Sequence, residues 1–73
     1  MITVYTLPAC VQCDATKRQL QKSGIEYVEV KLHENPEALE KIKGMGFTAA
    51  PVVETSEAAW SGFRPDLIAT LAQ

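Results

Sequence analysis

Residues 8–13 read Pro-Ala-Cys-Val-Gln-Cys and place two thiols at a Cys-x-x-Cys spacing. Because side chains three residues apart share one face of a helix, the sulfur atoms of Cys10 and Cys13 can meet if a helix begins here. Residues 11–23 contain no Gly or Pro and are rich in good helix formers, and Gly24 follows as a stop. The stretch therefore predicts a dithiol at the N-terminus of a helix.

A thiol at that position is chemically activated. The first-turn N–H groups and the helix dipole favour negative charge, which lowers the pKa of Cys10 and raises its thiolate fraction. Cys10 is then predicted to attack a partner's disulfide, and Cys13 to resolve the mixed disulfide. Lys17 and Arg18 lie at least one turn beyond Cys13, so no side-chain cation is obviously placed beside Cys10. We expect such a moderately activated dithiol to be a reductant.

Two other uses of the cysteine pair remain open from the residues alone. A structural disulfide gains most by closing a long loop, and a loop of about four residues gives only about 2 kcal/mol in the chain-entropy model. A zinc site needs four ligands, and beyond the two thiols only His33, otherwise a surface loop residue, is a good candidate. Redox chemistry is the favoured interpretation, with no metal or other cofactor, and a small metal-binding module is an alternative.

Strands and helices alternate along the rest of the chain. In chain order the predicted elements cover residues 2–6, 11–23, 25–32, 36–43, 52–54, 58–61 and 65–71. Asn35-Pro36-Glu37 starts the second helix with an N-cap side chain, a proline and a first-turn acid. The first two strands, joined through a helix, should be parallel, and the last two should be antiparallel. The predicted fold is α/β, in the order βαβαββα, with a mixed four-stranded sheet and three flanking helices.

Apolar residues three or four positions apart mark the buried face of a helix. In the second and third predicted helices these inward positions are Leu39, Ile42 and Met45, and Leu67, Ile68 and Leu71. Gly44 and Gly46 are predicted to end the second helix.

Length and composition bound the class of protein. The 73 residues carry 7 basic and 9 acidic side chains, a net charge of −2, and fit one domain at residues 1–73. This balance disfavours a nucleic-acid partner, because a phosphate backbone is bound by a surplus of Lys and Arg. No apolar run approaches the roughly 18 residues of a membrane span. We expect a cytoplasmic protein, in a compartment that keeps thiols reduced. We also expect a monomer without nucleic-acid or membrane partners.

Pro51 is the second feature that points to thiol chemistry. It follows Ala50 and precedes the predicted strand at 52–54, where proline is tolerated as a first residue. Most X-Pro bonds are trans, so an ordinary turn proline is the simple interpretation. Beside a redox motif, a cis bond would turn the backbone so that Ala50 presents free polar groups next to the cysteine pair. We therefore expect a cis Ala50–Pro51 bond.

A strand, the Cys-x-x-Cys motif opening a helix, and residues 50–53 (Ala-Pro-Val-Val) together resemble the thioredoxin fold in its short glutaredoxin form. Residues 60–66 (Trp-Ser-Gly-Phe-Arg-Pro-Asp), with 8–13 upstream, closely resemble the NrdH-redoxin family over essentially the whole chain. Members look like glutaredoxins but behave like thioredoxins. The resemblance implies a thiol–disulfide oxidoreductase acting as an electron carrier. It would be reduced by NADPH-dependent thioredoxin reductase and would pass electrons to class Ib ribonucleotide reductase for deoxyribonucleotide synthesis.

The resemblance makes Cys10 and Cys13 the redox pair and Pro51 the cis-proline. The residues that it implies for partner binding are Ala50, Pro51, Trp60, Ser61, Gly62 and Phe63. Leu7 departs from the pattern, since many members have Lys or Arg there. Glutathione-using glutaredoxins generally carry Gly-Gly and an acid-rich helix start where this chain has residues 61–66, so loss of the glutathione site is expected. A glutathione-dependent glutaredoxin remains the alternative, because backbone groups near Ala50 and Pro51 can also engage glutathione.

The residues of this C-terminal signature also have structural interpretations. Trp60 suits a partly buried sheet position, and Phe63 suits the space under the last helix. Arg64 and Asp66 can pair locally across Pro65, and Asp66 also suits the first turn of a helix. A functional contact is therefore not required to explain any of the four.

Overall fold

Caps, prolines and glycines interrupt the apolar patterns of the chain and divide it into short elements. The computed structural model describes residues 1–71. Its elements are β1 (Ile2–Thr6), α1 (Val11–Lys22), β2 (Tyr27–Lys31), a 3₁₀ turn (Leu32–Glu34), α2 (Pro36–Gly44), β3 (Val52–Glu54), β4 (Ala59–Ser61) and α3 (Pro65–Leu71). The predicted order βαβαββα is confirmed. Over residues 1–71, none of the helices has the length and apolar character needed to span a membrane.

The four strands form one mixed sheet in the order β2-β1-β3-β4. Val4 of β1 pairs with Glu29 of β2 on one side and with Val53 of β3 on the other, and Val53 pairs with Trp60 of β4. β1 and β2 are parallel because helix α1 carries the chain back across the sheet, and β3 and β4 are antiparallel because a short turn joins them. Both predicted pairings are confirmed, and β1 lies inside the sheet.

Helices cover both faces of the sheet, since alternate side chains of a strand point to opposite sides. The buried cluster on the side of α1 and α3 consists of Val4, Leu20, Val53, Trp60 and Ile68. The buried cluster on the side of α2 consists of Tyr5, Leu32, Ala38, Ile42 and Val52. The end of β1, from which the chain runs to Cys10, is therefore held between two packed layers.

Local signals fix the ends of the first two helices. Gly24 follows α1 with a φ of +72°, a backbone conformation that favours glycine. At the start of α2, Asn35 Oδ1 accepts the N–H of Ala38 at 3.1 Å, and Pro36 is the first helical residue. These are the starts and stops that the sequence predicts. In α3 the predicted inward face is also confirmed, with Ile68 fully buried.

The boundaries of β2 differ from the prediction. Ile25 does not join the strand, because its N–H is taken by the carbonyl of Leu20 at 2.9 Å at the end of α1. The strand begins at Tyr27. At the other end Leu32 opens the 3₁₀ turn and is 2% exposed, because it is buried against α2. The strand therefore ends at Lys31, one residue earlier than predicted.

The inward face of α2 also differs. Met45 is 38% exposed, so its expected place on the buried face is wrong. It caps the C-terminus of α2, where the helix has already ended. Ala38, one turn before Ile42, is buried in its place. In the last strand, β4 begins at Ala59, one residue later than predicted.

Candidate redox site

Cys10 and Cys13 form a disulfide across the first turn of α1, with their Cα atoms 5.2 Å apart. Cys10 is the N-cap of the helix, and its Sγ accepts the N–H of Cys13 at 3.1 Å. Cys13 is 1% exposed, whereas Cys10 is half-buried. Cys10 is therefore the more accessible of the two cysteines. The Cys-x-x-Cys spacing predicts that the two sulfurs meet at the start of a helix, and they do; the attacking and resolving roles stay predictions.

The loop that carries the proline is attached to the end of β4. The Ala50–Pro51 peptide bond is cis, as predicted. Pro51 is buried, and its carbonyl accepts the N–H of Gly62 at 2.8 Å. Ser61 Oγ donates to the carbonyl of Ala49 at 2.8 Å. Two hydrogen bonds therefore hold the proline loop and the C-terminal signature together.

Ser61, the last residue of β4, and the two residues after it, Gly62 and Phe63, are called the 61–63 loop below. This segment also reaches the Cys-x-x-Cys turn. The N–H of Phe63 donates to Gln12 Oε1 at 3.3 Å. Gly62 has a φ of +89°, and a Cβ at this position would lie 3.6 Å from the same oxygen. Sequence reasoning assigns no role to Gln12, and its place between the two cysteines is the one signal that points to it. The 61–63 loop thus joins the proline loop to the redox motif.

A polar pocket of about 280 Å³ adjoins Cys10. Thr6 at the end of β1, Lys17 of α1, Glu29 of β2 and His33 line it. Glu29 Oε2 accepts two hydrogen bonds, from Thr6 Oγ1 at 2.8 Å and from Lys17 Nζ at 3.1 Å. Lys17, two helical turns beyond Cys10, also lines this pocket, and its ammonium pairs with Glu29 and Asp14.

The carboxylate in this pocket is held in its charged form. A hydrogen bond from the Thr6 hydroxyl, and then one from the Lys17 ammonium, lower the pKa of Glu29, while burial opposes them. The hydrogen bond to Glu29 in turn raises the pKa of Lys17, and Asp14, 3.8 Å away, adds a weaker attraction. Both partners are therefore ionised at neutral pH. The positive charge of Lys17 reaches the Cys10 pocket already paired with an anion, which weakens its pull on a thiolate.

Comparison with known proteins identifies the family. The glutaredoxin family profile matches residues 2–57. The chain is 45% identical to the glutaredoxin-like protein NrdH of Escherichia coli (strain K12) over 67 residues, which cover 92% of this chain and 83% of that protein. It is 44% identical to the glutaredoxin-like protein NrdH of Lactococcus lactis subsp. cremoris (strain MG1363) over 72 residues, which cover 99% of this chain and 100% of that protein. The chain belongs to the NrdH group of the glutaredoxin family.

Solved structures agree with this assignment. The NrdH-redoxin from Escherichia coli, described as a glutaredoxin-like protein with a thioredoxin-like activity profile, matches with a TM-score of 0.96 at 43% identity, covering 99% of this chain and 95% of that one. A glutaredoxin from Archaeoglobus fulgidus matches with a TM-score of 0.84 at 21% identity, covering 96% and 83% of the two chains, which shows a shared fold. This NrdH-group chain is a glutaredoxin-like redox protein with the predicted thioredoxin/glutaredoxin fold.

The NrdH-type signature divides between core and surface. Trp60 is 8% exposed and packs in the cluster on the side of α1 and α3, and Phe63 is half-buried against the same cluster. Arg64 donates two hydrogen bonds to Asp66, at 3.1 and 2.9 Å, and these lower the pKa of that carboxyl. The structural interpretations of these residues are confirmed. A contact of Trp60 or Phe63 with a partner stays a prediction.

Leu7 gives this NrdH-group chain an apolar surface before the redox motif. The side chain is 42% exposed. Together with Phe47 and Ala50 it lines a cleft of about 50 Å³. The departure from Lys or Arg at this position therefore places a half-exposed aliphatic side chain beside the proline loop.

Proposed function

We propose that this chain is a cytoplasmic dithiol electron carrier that is reduced by NADPH-dependent thioredoxin reductase and that reduces class Ib ribonucleotide reductase. The observation that carries this proposal is the 61–63 loop, which is bonded both to Gln12 and to the proline loop. Glutathione-using glutaredoxins generally have Gly-Gly and an acid-rich helix start in that place. The loop offers a protein partner a fixed backbone surface where those proteins hold a tripeptide.

The reaction begins with the Cys10 thiolate. In the first turn the N–H of Cys13 points at Cys10 Sγ, and this donor together with the helix dipole stabilises negative charge on the sulfur. The thiolate attacks one sulfur of the acceptor's disulfide, so that a bond from Cys10 to the acceptor forms and the acceptor's own S–S bond breaks. The displaced sulfur leaves as a thiolate and takes up a proton. The product is a mixed disulfide through Cys10.

Cys13 completes the transfer. Its side chain is buried and adjoins Cys10, so the Cys10 sulfur is the target within its reach. The Cys13 thiolate attacks that sulfur, the Cys10–Cys13 bond forms, and the acceptor leaves as its second thiolate and is protonated. Two electrons and two protons pass from the dithiol to the acceptor. The reductase restores the dithiol by the reverse exchange, using two electrons from NADPH.

The residues proposed for partner binding fall into two kinds. Ala50 and the 61–63 loop are half-buried, so they have surface with which to touch a partner. Pro51 and Trp60 are buried, so their part is to hold these surfaces in place. In this proposal the chain acts as a monomer and carries no cofactor of its own.

NADPH consumption with a small disulfide acceptor tests the electron source. The chain is supplied either with thioredoxin reductase or with glutathione and glutathione reductase. We expect consumption with thioredoxin reductase and only background with glutathione, and the Cys10→Ser variant should be inactive with both. Activity with glutathione alone would overturn the proposal and make the chain a glutathione-dependent glutaredoxin.

The acceptor needs its own assay. Class Ib ribonucleotide reductase is supplied with NADPH, thioredoxin reductase and this chain, and deoxyribonucleotide formation is measured. We expect formation that depends on the chain and is lost in Cys10→Ser. A chain that reduces the small disulfide but does not support ribonucleotide reduction would refute the assignment of this acceptor.

A further inference from the structure

Thr16 is a buried polar residue of α1 that the disulfide form leaves without a partner. The side chain is 0% exposed, and its Oγ1 has no hydrogen-bond partner among residues 1–71. Buried polar groups nearly always have a partner, and one without it destabilises the fold. Trp60 Nε1, in β4, is the other such atom within this range. The Thr16 hydroxyl is therefore available to donate to an acceptor that another state of the protein offers.

Thr16 is placed to meet the buried cysteine. It lies one turn after Cys13, and residues three apart share a helix face. Helical Cα–Cβ bonds tilt towards the N-terminus, which directs the Thr16 side chain towards the turn that holds Cys13. Both side chains are at most 1% exposed. In the oxidised protein the Cys13 sulfur is bonded to Cys10 and carries no charge, so it attracts a donor only weakly.

We propose that Thr16 is a positioning residue for Cys13: its hydroxyl donates to Cys13 Sγ when the disulfide is open and stabilises the thiolate that resolves the mixed disulfide. A buried thiolate without a donor is strongly disfavoured by desolvation. In the resolving step the Cys13 thiolate forms the bond to Cys10, and the acceptor leaves with the electron pair of the broken bond. The Thr16 hydroxyl keeps its proton. This inference rests on the proposed dithiol chemistry but not on the identity of the reductase or the acceptor.

The polar side chains of the pocket lie beside the other cysteine. Asp14 and Lys17 of α1, Glu29 and Lys31 of β2, and His33 all line the pocket that adjoins Cys10. They are left intact in every variant below. A change confined to the resolving sulfur is therefore attributable to Thr16.

A chromogenic aromatic disulfide separates the two steps. The reduced chain releases one aromatic thiolate when Cys10 attacks and a second when Cys13 resolves the mixed disulfide. We expect Thr16→Val, which keeps the shape but removes the hydroxyl, to slow the second release about tenfold and to leave the first unchanged. Thr16→Ser, which keeps the hydroxyl, should behave like the parent. Thr16→Ala provides the same comparison if the valine variant does not fold.

Two equilibrium measurements give independent readouts. In a Cys10→Ser background, where serine keeps the N-cap, ultraviolet absorbance reports the pKa of Cys13, and Thr16→Val should raise it while Thr16→Ser should not. In the disulfide form, Thr16→Val should be at least as stable as the parent, because it removes an unpaired buried hydroxyl. Against glutathione buffers its dithiol–disulfide equilibrium should move about tenfold towards the disulfide, about 30 mV in potential.

Each outcome decides the matter. An unchanged second release with an unchanged Cys13 pKa would overturn the inference. A loss of stability in the disulfide form would also overturn it, because it would mean that the hydroxyl is already used there. Normal two-step release without turnover by thioredoxin reductase would refute the proposed electron source and leave the role of Thr16 standing.

Discussion

Removing the carboxylate of Glu29 is expected to destabilise the oxidised protein in a pH-dependent way. Glu29 Oε2 accepts hydrogen bonds from Thr6 Oγ1 at 2.8 Å and from Lys17 Nζ at 3.1 Å. Thr6 is 3% exposed, so in Glu29→Ala its hydroxyl loses a partner that water cannot readily replace. The substitution therefore removes a charge-assisted hydrogen bond and an ion pair at the end of the central strand β1.

The magnitude follows from those two contacts. A hydrogen bond to a charged group contributes about 1.5–3 kcal/mol. The ion pair contributes about 0.5 kcal/mol, because the Lys17 and Glu29 side chains are 25% and 27% exposed and solvent screens them. We expect Glu29→Ala to lower the free energy of unfolding by about 2–3.5 kcal/mol at neutral pH. A domain of this length has about 4–11 kcal/mol in total, so the loss is a large share of it.

The sign of the pH dependence follows from the lowered pKa of Glu29. A carboxyl whose pKa is lower in the folded state than its ordinary value of 4.5 adds stability that is fully present above that value. The stability is lost as the pH falls through the folded-state pKa, because the protonated carboxyl no longer pairs with Lys17. The difference between the parent and Glu29→Ala should therefore shrink in acid. Lys17, with its raised pKa, remains charged throughout this range.

Urea unfolding of the oxidised proteins over a series of pH values measures the effect. Glu29→Gln keeps an oxygen that can accept from Thr6, so it should lose about half as much stability as Glu29→Ala. Glu26→Ala removes an exposed carboxylate just before β2 and is the matched control, with little change expected. A Glu29→Ala loss of equal size at neutral and acid pH would refute the electrostatic reasoning.

Three further predictions concern the loop, the core and a helix end. Gln12→Ala removes the acceptor for the N–H of Phe63, so kcat/KM with thioredoxin reductase should fall several-fold while urea unfolding changes by less than about 1 kcal/mol; Gln19→Ala on the same helix is the control. Trp60→Ala should lower the free energy of unfolding in urea by about 3–5 kcal/mol, because the side chain is in the core. Its effect on kcat/KM with thioredoxin reductase, per folded molecule and expressed as a free energy, should be smaller. Gly24→Ala should cost about 1 kcal/mol or more, since its φ of +72° strains any side chain, and unchanged stability would contradict this.

Local sequence signals were sufficient to predict most of the fold. The stop at Gly24 and the N-cap at Asn35 depend on neighbours within one helical turn, so they could be read from the residues themselves. The start of α1 at the cysteine pair could likewise be read from the helix-forming residues that follow it. The cis bond before Pro51 could be predicted only in combination with the Cys-x-x-Cys motif, since cis bonds are rare on their own.

Contacts between distant segments could not be predicted in this way. Gln12 and Phe63 are 51 residues apart, and their hydrogen bond depends on where β4 places the loop after it. Lys17 and Glu29 meet because the register of β1 and β2 sets Glu29 opposite Val4, and one residue of slip would turn the carboxylate to the other face. The burial of Trp60 likewise depends on its pairing in the sheet, which the signature motif alone does not specify.

The two halves of the site are held in place by different contacts. Substitutions in the two halves should therefore have different effects on stability and on activity. Cys10 follows β1, whose end is fixed by Thr6 and Glu29, so a change there alters the pocket beside the thiol together with the stability of the sheet. The 61–63 loop is held by hydrogen bonds that are exposed or involve backbone groups, including those to Gln12 and Ala49. Such bonds contribute little to stability but set the position of backbone groups that a partner would meet. Substitutions in the loop should therefore change partner use at nearly constant stability, whereas substitutions at the end of β1 should change thiol reactivity and stability together.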